Sequence, residues 1–146
     1  MEEGGLTDIP KPVPVPDRES EGFWSAAVRH TLVVQRCHSC GRLAHPPVVM
    51  CPGCLSADPD FTFVPVGTRA KLRTWTVMRD AFLPGFKADV PWVIAEAELH
   101  DAPGIRMIAR LLDGPDADLR RDADVEFVFE DISDEISLPV LKMVSR

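Results

Sequence analysis

No tyrosine occurs anywhere in this chain of 146 residues, which removes one common general acid from any catalytic scheme. There is also no G-x-S-x-G turn, no glycine-rich phosphate loop and no H-E-x-x-H pair. The usual marks of serine hydrolases, P-loop enzymes and zinc peptidases are therefore missing. No stretch approaches the roughly 18 consecutive apolar residues of a membrane span. The opening MEEGGLTDIPKPVPVPDRES has neither the basic head nor the apolar run of a secretory leader, so a reducing, cytoplasmic setting is expected. Basic residues are few as well: 16 Lys and Arg against 23 Asp and Glu leave a formal charge of -7. Repulsion at that charge makes general affinity for nucleic acid or for an anionic membrane unfavourable.

The charge is unevenly spread. Residues 29–79 hold seven basic and two acidic side chains, whereas residues 80–146 hold seven basic and fifteen acidic ones. The middle of the chain could meet a phosphate-bearing ligand; the C-terminal half could not.

All four cysteines fall in QRCHSCGRLAHPPVVMCPGC, as Cys37, Cys40, Cys51 and Cys54. Two C-x-x-C pairs each deliver two soft ligands from a tight turn, and four thiolates fill the tetrahedron that zinc prefers. Gly41 is expected to supply the positive φ of the first knuckle, and Pro52 with Gly53 to shape the second. A closed sphere leaves no position for an activated water, so the expected zinc is structural. Four thiolates also serve iron, and two disulfides would use the same cysteines in an oxidising compartment. His38 and His45 lie nearby but are not expected to be ligands. With every cysteine engaged, none is left to act as a nucleophile.

Around this ribbon the chain reads as mainly β. IPKPVPVP, with proline at every second position, predicts an extended arm over residues 1–17. Asp17 is a fair N-cap, and Phe23, Trp24, Ala27 and Val28 recur at helical spacing, predicting a helix over 18–30 weakened by Gly22. Leu32–Arg36 predicts a short strand into the first knuckle, and DFTFVPVG another after the second. Helix and ribbon make a unit over 18–66. From 67 to 146, period-2 patterning between turn signals predicts strands at 68–79, 91–99, 105–112, 124–130 and 136–144. Five such strands suit a small OB-fold barrel, although an open meander or sandwich has the same pattern.

Two features of the barrel half could carry function. Arg69, Lys71 and Arg73, with Trp75 on the same predicted strand face, form a basic and aromatic stripe suited to phosphates. A merely exposed strand face would look the same. The loop AFLPGF places Phe82, Leu83 and Phe86 where polar residues are expected, which marks either a partner surface or a plug over the barrel. Glu96 and Glu98 share a strand face and read as a solvated pair rather than a catalytic one.

The order of FWSAA at 23–27, QRCHSCGRLAHPP at 35–47, CPGC at 51–54, Gly67 and PWVIAEAEL at 91–99 resembles the acyl-CoA-associated zinc-ribbon/OB-fold proteins, domain-of-unknown-function family 35. The chain departs from the family at Arg69, where a second glycine is common. The resemblance implies a rubredoxin-like four-cysteine zinc ribbon followed by a five-stranded OB-fold barrel. It further implies a non-catalytic accessory subunit that binds a thiolase-fold partner acting on acyl-CoA thioesters. On this reading Arg69, Lys71 and Arg73 contact CoA phosphates, and Phe82, Leu83 and Phe86 dock the partner. The competing expectation is a single-stranded nucleic-acid binder, since ribbons and OB barrels both serve that purpose; a self-sufficient enzyme is a third.

Overall fold

The computed structural model describes residues 10–145, so the first nine residues of the expected arm lie outside the described residues. Residues 10–16 carry no regular structure, and Val13 and Val15 are exposed. They lead into a turn in which Asp17 and Ser20 bond reciprocally. The Ser20 N–H donates to Asp17 Oδ1 at 2.8 Å, and the Asp17 N–H donates to Ser20 Oγ at 3.1 Å. This arrangement satisfies amide donors that precede a helix. Helix α1 follows as Glu21–Val28, shorter than the expected 18–30, because residues 18–20 are spent on the turn. At the other end His30 takes φ 54°, and the Thr31 N–H returns to the Ala26 carbonyl at 3.0 Å. A left-handed residue with such a back bond ends a helix.

Three short strands then form the ribbon sheet, in the order β2 (Leu43–Ala44), β1 (Val33–Arg36), β3 (Thr62–Pro65), all antiparallel. The remaining strands are β4 (Arg69–Met78), β5 (Trp92–Leu99), β6 (Arg106–Leu111), β7 (Asp124–Asp131) and β8 (Ser137–Met143). They close a barrel in the order β4-β5-β6-β8-β7. This is the expected five-stranded barrel, with each strand within a few residues of its sequence-based position. The alternation on β5 explains why: Val93, Ala95, Ala97 and Leu99 are buried while Trp92, Ile94, Glu96 and Glu98 face outward.

One core serves both halves. Phe23 and Ala26 of α1 and Leu32 and Val34 of the ribbon join Leu72, Val93, Leu111, Val125 and Leu141 of the barrel in a single buried cluster. Helix α1 packs on both β1 and β8, so it is the wedge between ribbon and barrel.

Gly22 weakens the helix intrinsically, and the packing supplies a reason for it. A Cβ there would lie 2.3 Å from the ring of Phe63 on β3. Gly22→Ala should gain up to about 1 kcal/mol from helix propensity and lose about 1–3 kcal/mol to overpacking. The expected result is a lower melting temperature for Gly22→Ala, partly restored by adding Phe63→Leu. A melting temperature that rises in the single variant would contradict this packing.

Candidate metal centre and docking surfaces

The ribbon's two turns are built alike. In the first, the Gly41 N–H donates to the Cys37 carbonyl at 2.8 Å; in the second, the Leu55 N–H donates to the Cys51 carbonyl at 3.0 Å. The residue after each pair is left-handed, Gly41 at φ 74° and Leu55 at φ 58°. The first knuckle is as expected. In the second, the left-handed position is Leu55, not Gly53, because the closing bond falls four residues after Cys51 whatever residue stands there.

These turns bring all four sulfurs within 4.8 Å of one another. Cys37 and Cys54 Sγ are 3.8 Å apart, and Cys40 and Cys51 Sγ are 3.6 Å apart. A tetrahedral zinc with Zn–S bonds of about 2.3 Å requires sulfurs roughly 3.8 Å apart, so the donor set and its spacing fit the ion. The N–H groups of Cys54 and Gly53 point at Cys51 and draw its thiol down to about 6, whereas burial and the other three sulfurs push Cys40 up to about 11, so binding a metal must release protons from the cluster. Cys37 and Cys51 are buried, Cys40 and Cys54 exposed. The zinc is structural; Cys37, Cys40, Cys51 and Cys54 would hold it, and among the described residues no other His, Cys, Asp or Glu belongs to the cluster.

The two histidines behave as expected of non-ligands. His38 is exposed. His45 packs its ring 5.4 Å from that of Phe23, and burial pushes its pKa down to about 4. It is therefore a neutral ring between ribbon and helix. Gln35, buried on β1, accepts the Val48 N–H at 2.7 Å and fixes the His45–Val48 turn against the sheet.

The basic stripe on β4 is rearranged by a bulge. Leu72 pairs with Ala97, but Thr74 pairs with Glu96, so Arg73 is an extra residue in the ladder. Side chains before the bulge point inward at Ala70 and Leu72; after it Trp75 and Val77 pack on the core. Trp75 therefore does not share the outer face with Lys71 and Arg73, which corrects the sequence-based expectation. A bulge of this kind depends on two strands at once and leaves no mark in one strand's pattern.

The cations themselves are paired. Arg69 Nε lies 3.5 Å from Glu126, Lys71 Nζ lies 2.7 Å from Asp124, and Arg73 contacts Glu98 at 3.2 Å and also Asp122. Glu98 and Asp124 are held below the usual carboxylate range by their bonds to Arg73 and Lys71, respectively. Arg106 extends the web, reaching Glu96 at 3.1 Å and Glu98 at 3.2 Å. Three cations facing four carboxylates leave this strand without a free positive face.

The β4–β5 loop divides in two. Phe82 is fully exposed and Leu83 is 53% exposed. Phe86, in the 3-10 turn Pro84–Phe86, instead stacks on Trp92 with ring centres 5.9 Å apart. Lys11 Nζ sits 5.5 Å over the Phe86 ring and 2.5 Å from Asp89 Oδ2. Arg110 completes the cluster, 5.9 Å from the Trp92 ring and 3.6 Å from Asp89. Phe86 is thus the foot of the loop, and Phe82 with Leu83 its bare tip.

Residues 24–60 match the family model described as the rubredoxin-like zinc ribbon domain of ChsH2, and residues 63–130 that of the C-terminal OB-fold domain of ChsH2. A chain of the Ltp2-ChsH2(DUF35) aldolase is similar in structure, with TM-score 0.76 and 27% identity over 90% of this chain and 98% of that one. A DUF35-family protein of Sulfolobus solfataricus shares the fold at TM-score 0.60 and 16% identity, over 87% of this chain and 86% of its own. Among curated proteins, a probable enoyl-CoA hydratase alpha subunit of Thermomonospora curvata is 30% identical over 132 residues. That match takes in 90% of this chain but only 40% of the relative's length. A DUF35 domain-containing scaffold protein of Methanocaldococcus jannaschii is 29% identical over 107 residues, 73% of each chain. Among the described residues no helix is long and apolar enough to cross a membrane.

Elemental analysis should return one zinc per chain in a colourless protein. Because structural zinc contributes on the order of 10 kcal/mol to folding of small domains, its removal by a chelator should expose the amides of β1, β2 and β3 to exchange. A visible charge-transfer band from iron, or a ribbon that keeps its protection without metal, would contradict the assignment.

Proposed function

Since the chain belongs to the family 35 zinc-ribbon/OB-fold proteins, we propose that it is a non-catalytic accessory subunit, docking a thiolase-fold partner that acts on acyl-CoA thioesters. The observation that carries this is the β4–β5 loop. It presents Phe82 and Leu83 to solvent on a foot pinned by Phe86, Trp92 and Asp89. Apolar residues held outward by a rigid base resemble the anchors of protein interfaces.

The relatives support the same reading. One similar structure is an aldolase in which a DUF35 chain accompanies Ltp2, one curated relative is named a scaffold protein, and another a hydratase subunit. The closed metal site supports it from the chemical side: four thiolates leave the zinc no open position for substrate or water.

Contact of Arg69, Lys71 and Arg73 with CoA phosphates belongs to the same proposal and stands on a narrower base. A phosphate there must displace Glu126, Asp124, Glu98 or Asp122. Docking requires no such exchange. The same pairing weighs against the nucleic-acid reading, which needs an unpaired basic track.

Each anchor buried at an interface contributes about 1.5–3 kcal/mol before association costs. The double variant Phe82→Asp, Leu83→Asp should therefore weaken capture of a thiolase-fold partner by about tenfold or more. Its melting temperature should stay unchanged, because neither side chain packs on the core. Undiminished capture by the folded double variant would overturn the docking role of this loop.

A further inference from the structure

The barrel closes at a single point. Strands β6 and β8 are registered only at Leu111 and Leu141, where the Leu112 N–H donates to the Leu141 carbonyl at 2.8 Å. Below that point the two strands part around a groove of about 530 Å³, lined in part by Phe23, Trp24, His45, Ile108, Leu138 and Pro139.

The backbone explains why the ladder stops. The Leu99 N–H donates to the Ile105 carbonyl, so odd residues of β6 bond to β5 and even residues aim their amides at β8. On β8 the Val144 N–H donates to Asp124, so even residues bond to β7 and odd residues aim at β6. The ladder would continue with the Arg110 N–H donating to the Pro139 carbonyl, which proline allows, and then with residue 139 donating to the Ile108 carbonyl. Residue 139 is proline and has no N–H to give.

We propose that this seam receives an extended, non-acidic segment of the protein partner, which adds as a strand along β6 at Ile108. Three observations select that occupant. An edge left open by a missing donor is completed by another backbone, the basis of strand addition; an acyl chain carries no N–H to offer. Of the two charged residues lining the groove, Arg110 is already engaged with Asp89 at 3.6 Å, while Asp17, bonded to the Ser20 N–H at 2.8 Å, keeps its negative charge, so an acidic segment finds no counterpart. Ile108, 70% exposed on the rim, and the buried, unpartnered Nδ1 of His45 offer one apolar and one polar contact to its side chains. The seam also adjoins the docking loop, because Arg110 meets Asp89 and, through it, Lys11 and the Phe86 foot.

The inference rests on the docking reading above, and amide exchange by NMR separates the two. In the free chain, Ile108 should exchange at least about tenfold faster than Met107 and Ala109, whose amides face β5. In the complex with the thiolase-fold protein, Ile108 should become as protected as its neighbours. Pro139→Val restores the missing donor and lets β6 and β8 zip, so it should weaken the complex by about tenfold while Phe82 and Leu83 remain intact. If no complex forms, the docking reading fails and takes this one with it. If the complex forms but Ile108 exchanges as in the free chain, or Pro139→Val binds undiminished, strand addition alone is overturned. Protection that appears on concentrating the free chain would name a second copy as the occupant and likewise overturn the proposal.

Discussion

Four sulfurs that fit one tetrahedral zinc are the constraint on which the rest of this molecule depends. The ribbon's strands contain four, two and four residues, too short to bury a core of their own. Metal binding closes the two knuckles and gives the sheet a fixed shape. Only then can β1 present Val33 and Val34 to helix α1 and to the barrel interior. The helix in turn sits between ribbon and barrel, with Phe23 against His45 on one side and β8 on the other. Chemistry is absent from this centre by construction: coordination is saturated, and the metal's contribution is shape.

Shape in turn decides what the barrel leaves open. The helix lies against the part of the barrel where β6 and β8 fail to pair, so the seam is partly walled by Phe23 and Trp24 rather than flooded. On the adjoining face the loop between β4 and β5 stands on a stack of Lys11, Phe86 and Trp92. The outer strand faces between are covered by cross-strand ion pairs. At the loop tip and the seam, the features on offer are apolar side chains and an unfinished sheet edge, both suited to another protein surface. Neither is suited to nucleic acid, whose phosphates would need free cations.

Much of this was legible in the residues. The cysteine spacing declared the ligand set, and period-2 alternation declared the five barrel strands, because both signals are local. Phe82 and Leu83 stood out as apolar residues in a turn-rich stretch. What escaped the sequence depends on two segments meeting. The extra residue at Arg73 appears only when β4 is laid against β5. The neutralisation of Arg69, Lys71 and Arg73 needs acids from positions 98 to 126. Phe86 looked equivalent to Phe82 until Trp92 was brought beneath it. Pro139 was readable as a residue without a donor, but its consequence follows only once its nitrogen faces the Ile108 carbonyl.

The central claim is that this chain assists chemistry performed elsewhere. The most direct measurement is turnover of an acyl-CoA thioester by the purified chain, by the proposed thiolase-fold partner, and by the two combined. The account predicts no turnover by the chain alone and a clear gain when it is added to the partner. Turnover by the isolated, zinc-loaded chain, or a partner whose rate is indifferent to it, would contradict the account.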